Sequence, residues 1–338
     1  PRALHASAGA PATTSPPETP VIVGPVPTDV STDATVLLRL DEADELAAAW
    51  VCALAERRGI RAVLIKGPAL HLHGLREERV SADVDLLVEP SRFEELCEAI
   101  AESGWTKRPG GLISELTTLH SVTFLHDGWP CDLDVHNFFP GFLADPADVF
   151  EALWRHRWTL QLAHRDCLAL DKVAGALVLG LHSLRGATIQ PRHLDELEQL
   201  VRTPFTDEER ADLGVLARET GCVATLETVL PRLGVAVEPS AAELASPDLR
   251  DWRERVTAGS HGSYFWMLAL RRARWTQRPR ILWRAVWPTR PDLLVARPET
   301  VDTLRGRTRA RLARWGRGIR SAPAGVRAVW THRRRLTP

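Results

Sequence analysis

Lysine and cysteine are scarce in this sequence. Only three lysines (Lys66, Lys107 and Lys172) stand among the 43 basic residues. The 5 cysteines are separated by long, uneven spacings and form no Cys-x-x-Cys pair, which excludes a cysteine zinc site and an evident disulfide framework. Unpaired cysteines of this kind are typical of a reducing compartment, so we expect a cytoplasmic protein.

Long apolar runs are also missing. None approaches the roughly 18–20 residues that span a bilayer, and the longest covers only residues 173–181. Residues 1–33 are rich in proline, alanine, serine and threonine but lack the apolar core of a secretion signal. Their apolar content is too low to offset the entropy of ordering, so we predict a flexible tail and no transmembrane segment.

The composition is that of a folded protein with an uneven distribution of charge. Of 338 residues, 44% are hydrophobic and 25% charged, which allows two or three compact units. The formal net charge is zero, yet residues 251–338 carry 21 arginines against 5 acidic residues, and residues 1–250 carry 22 basic against 38 acidic residues. We expect such a basic segment to meet an anion, a membrane surface or the acidic part of the same chain.

Hydrophobic periodicity predicts an α+β fold. The expected strands cover 61–65, 83–89, 121–126, 131–138 and, less regularly, 158–162. The expected helices cover 34–58, 69–75, 90–103, 148–157, 171–185, 191–202, 207–219, 223–233, 262–276, 279–287 and 301–315. We therefore divide the chain into a disordered tail (1–33), a small mixed-sheet α/β domain (34–145), a helical domain (146–250) and a basic helical C-terminal region rich in tryptophan and arginine (251–338).

Carboxylates alternate along two of the predicted strands. Alternate residues of a strand share a face, so Asp83 and Asp85 project to one side, as do Asp132, Asp134 and His136 on the later strand. If the two strands are neighbours, four carboxylates and an imidazole lie in one small area. Like charges at such distances are costly unless a cation binds, and Mg²⁺ prefers carboxylate oxygen. The pattern predicts a metal site.

A turn that suits phosphate binding precedes these carboxylates. Two metal ions held by carboxylates serve phosphoryl or nucleotidyl transfer, because they stabilise the attacking and the leaving oxygen. Lys66-Gly67-Pro68 connects a predicted strand to a predicted helix, and such turns direct backbone N–H groups at a phosphate chain. Lys66 adds a positive charge. We therefore expect a nucleoside triphosphate such as ATP at this turn.

The segments LIKGPALHLHGLREERVSADVDLLV and CDLDVHNFF resemble the uncharacterised nucleotidyltransferase family of the polymerase-beta-like superfamily. The resemblance covers roughly residues 45–320 and is most specific between 60 and 140. The matching residues are Leu64, Lys66 and Gly67 of the turn, Arg79, Asp83 and Asp85 of the second segment, Asp134 and His136 of the third, and His182 and Asp195 of a helical segment downstream.

This resemblance implies a magnesium-dependent nucleotidyltransferase. It implies Asp83, Asp85 and Asp134 as catalytic residues that hold the metal, with two Mg²⁺ ions, and a nucleoside triphosphate as substrate. It places the phosphates against Lys66 and Gly67, with Arg79 and His136 nearby as nucleotide-binding residues. Pro68 departs from the wider superfamily, which has glycine or serine there, and it removes one backbone donor. The acceptor is a small molecule, a sugar phosphate or a modified peptide.

Several assignments stay open at this stage. Asp132 is either at the edge of the site or simply exposed. His136 is either a substrate or second-sphere contact or a packed histidine, and Arg79 either binds phosphate or pairs with a carboxylate. His182 and Asp195 are better interpreted as a buried hydrogen-bonded pair than as nucleotide or acceptor ligands.

The basic C-terminal region also has three interpretations. Interleaved arginine and tryptophan suit single-stranded nucleic acid or an anionic membrane surface. The interpretation we favour is a helical cap whose arginines face the acidic part of the chain. The alternative function is accordingly a non-catalytic, nucleotidyltransferase-like module that binds nucleic acid or membrane through residues 251–338.

Overall fold

The computed structural model describes residues 38–109, 120–186, 190–258, 270, 273–296 and 300–316. The predicted tail over 1–33 and most of the predicted helix over 262–276 lie outside these residues. Within the described part of the chain, no helix has both the length and the apolar character needed to cross a membrane.

Seven strands of the described residues form one mixed sheet. They are β1 (Ala62–Leu64), β2 (Asp83–Val88), β3 (Thr106–Lys107), β4 (Ser121–Leu125), β5 (Asp132–His136), β6 (Arg157–Leu162) and β7 (Arg165–Leu170). Their order is β3-β4-β5-β2-β1-β7-β6. β2 runs parallel to β5 and β1 parallel to β7, whereas the other neighbours are antiparallel. The mixed sheet with helices confirms the predicted fold class.

Most of the helices correspond to predicted ones, but those over 241–245, 247–258 and 290–296 were not predicted. The helices are α1 (Leu40–Arg57), α2 (Pro68–Leu72), α3 (Phe93–Glu102), α4 (Pro146–Arg155), α5 (Lys172–Gly186), α6 (Pro191–Arg202), α7 (Asp207–Glu219), α8 (Ala241–Ala245), α9 (Pro247–Ala258), α10 (Arg278–Val286) and α11 (Arg290–Ala296). Residues 304–316 are also helical. Capping interactions explain where two of these helices begin. Thr206 and Glu209 form a reciprocal capping box at α7, and Asp145 accepts a hydrogen bond from Ala147 N at α4.

The two faces of the sheet pack against different helices. Val84, Leu86 and Val88 of β2 belong to a core that includes α1 and α3. Leu87 points the other way, into a core with α4, α5, α6 and α7. Each fully buried Leu or Val contributes about 1.5–3 kcal/mol of burial free energy, so both layers hold the sheet firmly. By the same alternation, Asp83 and Asp85 lie on the face that the second set of helices covers.

Other elements also differ from the sequence expectation, and β3 was not predicted. β6 and β7 form a hairpin that extends the sheet, although only a strand near 158–162 was expected in a helical segment. The predicted helix over 223–233 is wrong, because only Leu230–Leu233 form a short 3₁₀ helix. The backbone N–H groups of Val223 and Ala224 instead donate to the buried Glu243 carboxylate, at 2.8 and 3.2 Å. The division into domains at 145 and 250 stays a prediction.

The described part of the C-terminal region combines a buried anchor with an exposed surface. Trp252 of α9 lies in the core and donates from Nε1 to Thr225 O at 3.2 Å. Further on, Trp275 is 80% exposed and Trp283 is 66% exposed. Arg253 forms an ion pair with Glu227 at 2.9 Å, whereas Arg284 pairs with Asp292 of its own region.

Candidate active site

The candidate site begins with the pairing of β2 and β5. The two strands are adjacent and parallel, and the register places Asp83 beside Asp132 and Asp85 beside Asp134. Because both strands alternate in phase, these carboxylates share one face of the sheet. The sequence left open whether the two strands are neighbours, and the structure shows that they are.

Asp85 is the centre of this arrangement. Its Oδ1 lies 2.7 Å from Lys66 Nζ and 3.0 Å from His136 Nε2. His136 Nε2 also lies 3.4 Å from Asp134 Oδ2, and Thr123 Oγ1 donates to Asp134 Oδ1 at 2.9 Å. We call Asp83, Asp85, Asp134 and His136, with Lys66, the strand cluster.

The strand cluster is electrostatically uneven. Burial raises the pKa of Asp85, but Lys66 and His136 outweigh this effect and hold it below the usual value. Burial also raises the pKa of Asp134. Its hydrogen bonds with His136 and Thr123 outweigh this effect, so the pKa of Asp134 is lowered as well. The pKa of Asp83 is raised by burial and by the charge of Asp85. One lysine therefore neutralises only part of the negative charge.

A further carboxylate, Asp44 of α1, lies close to this cluster and was missed in the sequence. Asp44 is 8% exposed, and its Oδ1 has no hydrogen-bond partner among the described residues. Burial, followed by the charges of Asp83 and Asp85, raises its pKa to about 7. The sequence did contain a sign that Asp44 is buried. It shares the apolar face of α1 with Ala47, Ala48 and Val51, at helical spacings of three, four and seven.

The turn after β1 brings Lys66 and Gly67 to the strand cluster. Gly67 has φ of +80°, a backbone conformation that side chains disfavour even though the space beside it is open. The buried Arg76 donates from Nη2 to Gly67 O at 3.0 Å. Burial and the charge of Arg79 lower the pKa of Arg76 to about 10. The helix that follows, α2, has only five residues.

A second group of titratable residues lies on the helices. Glu196 Oε2 is 2.9 Å from both His193 Nδ1 and Ser183 Oγ, and Glu196 Oε1 is 2.5 Å from Arg79 Nη1. The ring of His182 lies 4.9 Å from that of His193. We call His182, His193 and Glu196, with Arg79, the helix cluster. Of the two interpretations of Arg79, the structure shows the carboxylate pair.

The expected buried pair of His182 and Asp195 is wrong. Asp195 is exposed, and the neighbouring Glu196 takes the buried position. One residue corresponds to a rotation of about 100° around a helix, so a shift of one position exchanges the exposed and the buried face. Burial and then the charge of Lys66 lower the pKa of His182.

Asp132 lies at the edge of the strand cluster. Its carboxylate is partly exposed and pairs with Arg108. His136, in contrast, is 2% exposed and contacts both Asp85 and Asp134. The structure therefore places His136 inside the strand cluster and Asp132 beside it.

The side chains present fit a divalent cation. Asp85, Asp134 and His136 each offer a ligand atom, and these atoms lie within 4.8 Å of one another. Carboxylate oxygens suit Mg²⁺, whereas an imidazole nitrogen does not, so His136 is better suited to orient Asp85 and Asp134. Burial, followed by the charge of Asp85, raises the pKa of Asp83, and a bound cation would offset the second of these effects.

Comparison with solved structures finds partial likenesses. The antibiotic-resistance factor ANT(2'')-Ia has 16% identity and a TM-score of 0.38, covering 56% of this chain and 97% of its own. The lincosamide antibiotic adenylyltransferase LnuA has 14% identity and a TM-score of 0.32, covering 47% and 96%. An antigenic nucleotidyltransferase-like protein from Paracoccidioides brasiliensis has 12% identity and a TM-score of 0.31, covering 60% and 96%. Likeness at this level carries no conclusion about substrate.

Comparison with sequence families is more specific. No curated protein matches the chain. The model of the uncharacterised nucleotidyltransferase family, however, matches residues 40–231, which is more than half of the 338 residues. The matched range contains the whole strand cluster and the turn at Lys66 and Gly67. The chain belongs to the uncharacterised nucleotidyltransferase family.

Proposed function

We propose that this nucleotidyltransferase moves a nucleoside monophosphate from a nucleoside triphosphate to an acceptor in a Mg²⁺-dependent reaction. The observation that carries the proposal is the register of β2 and β5, which brings Asp83, Asp85 and Asp134 to one face beside Lys66. Three carboxylates share Lys66, and the charges of Asp83 and Asp85 add to burial in raising the pKa of Asp44, so the cluster is suited to bind additional positive charge.

The chemistry assigns a role to each side chain. An acceptor oxygen attacks the α-phosphorus and releases its proton to the solvent, a new P–O bond forms, the bond to the β-phosphate breaks, and pyrophosphate leaves. Magnesium, held by Asp83, Asp85 and Asp134, supplies charge stabilisation for the attacking and leaving oxygens. His136 orients Asp85 and Asp134 through its contacts at 3.0 and 3.4 Å.

Lys66 and Gly67 face the phosphate chain in this proposal. Lys66 pairs with Asp85 in the structure, and it exchanges this partner for a phosphate oxygen when nucleotide binds. The hydrogen bond from Arg76 to Gly67 O helps to hold the turn in its shape. Pro68 lacks a backbone N–H, so the ammonium group of Lys66 carries most of the phosphate contact.

Binding of Mg²⁺ and ATP tests the proposal directly. Isothermal titration of the wild type is compared with Asp83→Ala/Asp85→Ala. The matched control is Asp195→Ala/Glu198→Ala, which removes the same charge from exposed positions of α6. We expect the first double variant to lose binding and the control to retain it. Equal binding by all three proteins overturns the assignment. A screen of candidate acceptors for pyrophosphate release then identifies the acceptor.

A second candidate function, binding of an anionic partner, has one observation in its favour. The described residues 273–296 and 300–316 carry ten arginines against two aspartates, and Trp275 and Trp283 are exposed there. Arginine and aromatic side chains together suit nucleic acid or an anionic membrane. This function predicts salt-dependent binding to single-stranded DNA or anionic vesicles that Trp275→Ala/Trp283→Ala weakens and Asp83→Ala does not affect.

A further inference from the structure

The C-terminal end of β5 carries a group of residues that the proposed chemistry does not use. The pairing of β4 with β5 continues past the strands, with Asn137 N donating to His120 O at 3.1 Å. The ring of His120 lies 6.0 Å from that of Phe138. From α5, the guanidinium of Arg185 lies over the ring of Phe139, 5.3 Å from its centre. We call His120, Asn137, Phe138, Phe139 and Arg185 the β5-end cluster.

Three buried polar atoms around this cluster have no hydrogen-bond partner among the described residues. They are Asn137 Oδ1, Arg185 Nη1 and His136 Nδ1. An unsatisfied buried polar group costs about 1–3 kcal/mol, and more where it is charged. Three such atoms at one end of one strand indicate a place where polar groups of a ligand complete the hydrogen bonding.

The charge of the cluster favours an anion. Burial, followed by the charge of Arg255, lowers the pKa of Arg185 to about 10, which still leaves this guanidinium charged at neutral pH. Burial and the charge of Arg185 lower the pKa of His120 to about 3, which leaves this imidazole neutral. A carboxylate or phosphate carries the opposite charge and matches the planar geometry of Arg185, so it could pair with this guanidinium.

The position of the cluster separates it from the phosphate-facing turn. In the sheet order β4-β5-β2-β1, Lys66 follows β1 on one side of the carboxylates and the β5-end cluster lies on the other, at β4 and β5. The ring of His136, in the strand cluster, lies 5.8 Å from the rings of both His120 and Phe139, so the two clusters are adjacent. An in-line displacement needs the acceptor and the leaving pyrophosphate on opposite sides of the α-phosphorus.

We propose that the β5-end cluster binds the acceptor, and that this acceptor carries an oxyanion, held by Arg185, next to an apolar part that contacts Phe138 and Phe139. The inference rests on the proposed function and narrows it, because it excludes neutral acceptors. Phosphate and carboxylate share the required chemistry. Asn137 Oδ1 accepts a hydrogen bond from a hydroxyl or amine of the same acceptor.

Matched probes test this subsite while the nucleotide site is filled. The protein is saturated with Mg²⁺ and α,β-methylene-ATP, and it is then titrated with glycerol 3-phosphate, glycerate or glycerol in a calorimeter. We expect the two anions to bind and glycerol not to bind. A stronger signal for one anion identifies phosphate or carboxylate as the preferred group. Absence of binding by both anions, or equal binding by glycerol, overturns the proposal.

Variants separate Arg185 from the rest of the site. Arg185→Gln should lower the affinity for the anion by at least about 10-fold, since a hydrogen bond to a charged group contributes about 1.5–3 kcal/mol. Asn137→Asp keeps the shape of the side chain but adds a negative charge, so it should lower the affinity for the anion through repulsion. Arg192→Gln, at an exposed position of α6, is the control and should change nothing. Anion binding that survives both site variants contradicts the assignment.

Titration with α,β-methylene-ATP distinguishes failure of the acceptor-site proposal from failure of the proposed function. If Arg185→Gln weakens α,β-methylene-ATP and not the anionic probe, Arg185 belongs to the nucleotide site and the inference is wrong, although the proposed function stands. If the wild type does not bind the nucleotide analogue at all, the proposed function fails. In that case the anionic probes are titrated into Lys66→Ala, and binding that persists there but is lost in Arg185→Gln still assigns an anion site to Arg185.

Discussion

The strand cluster and the helix cluster contain similar side chains in opposite electrostatic surroundings. Each offers three potential metal ligands within 4.8 Å of one another, Asp85, Asp134 and His136 in one and His182, His193 and Glu196 in the other. In the helix cluster, both oxygens of the single carboxylate have partners, with Arg79 on one side and His193 and Ser183 on the other. In the strand cluster, several carboxylates share one lysine.

The comparison shows that donor type alone does not identify a cation site. Lys66, Arg185 and Arg79 all lower the pKa of His182, so positive charge already surrounds the helix cluster. We therefore expect a further cation to bind only weakly at the helix cluster. In the strand cluster, three carboxylates share Lys66, and the charge of Asp85 adds to burial in raising the pKa of Asp83. We therefore interpret the helix cluster as a hydrogen-bonded support and the strand cluster as the cation site.

The largest expected effect concerns cation affinity. Asp134→Asn should weaken Mg²⁺ binding by well over 10-fold, because even outer-sphere partners of a metal ligand contribute about 10–100-fold. His193→Ala should leave Mg²⁺ affinity within about twofold, because positive charge next to the helix cluster already opposes a cation there. Isothermal titration with Mg²⁺ measures both. Loss of affinity in His193→Ala alone would reverse our interpretation of the two clusters.

The next effect is a pH dependence that comes from Asp44. Its folded-state pKa of about 7 exceeds the ordinary value of 3.8, so the folded protein holds a proton that the unfolded chain releases between these pH values. The contribution of this bound proton to the free energy of unfolding is fully present below about pH 4, and it is lost as the pH rises through about 7. In metal-free protein, Asp44→Asn should remove this loss and add up to about 4 kcal/mol at pH 8.

Urea denaturation at pH 4.5 and pH 8, in the presence of EDTA, measures this effect. Addition of Mg²⁺ should reduce the difference between wild type and Asp44→Asn at pH 8, because a cation offsets the charge of Asp83 and Asp85 near Asp44. Identical pH dependence in both proteins would show that Asp44 is not held as a buried, unpaired carboxylate.

The helix cluster should respond through stability. Glu196→Gln leaves Arg79 and His193 without their anionic partner, which should lower the free energy of unfolding by about 3 kcal/mol. The control on the same helix is Glu198→Gln, which removes an exposed pair with Arg202 and should cost less than about 1 kcal/mol. Chemical denaturation distinguishes them. Comparable losses in the two variants would mean that the buried network adds no stability beyond that of a surface pair.

The smallest expected effect belongs to Asp132. Asp132→Asn removes a partly exposed pair with Arg108, so stability should change by less than about 1 kcal/mol and Mg²⁺ affinity by less than about threefold. A loss comparable to that of Asp134→Asn, measured in the same titration, would place Asp132 within the cation site.

Much of the strand cluster was predictable because strands alternate with a period of two. The alternation in DVDLLV and CDLDVHNFF put the correct residues on one face. Helical positions were less certain. In α6, the sequence predicted a buried Asp195, but Asp195 is exposed and the buried stripe runs through His193, Glu196 and Leu200. The choice between the two faces depends on the packing of α6 against α5, which the pattern does not contain.

The β6–β7 hairpin was missed for a local reason. Its turn uses Ala163 and His164 at φ of 45° and 60°, where glycine or asparagine is the usual residue. Without that signal, a strand such as Arg165–Leu170 is difficult to distinguish from the start of the helix that follows.

The sequence by itself determined which residues share a face and which turn precedes them, because backbone geometry sets the strand period and the preferences of glycine and proline are local. Only the tertiary structure decided that β2 lies beside β5, that Asp44 of α1 joins the carboxylates, and that Arg185 reaches the end of β5. These contacts join residues about 40 to 50 positions apart, and their formation depends on how two hydrophobic layers close over the sheet rather than on any local pattern.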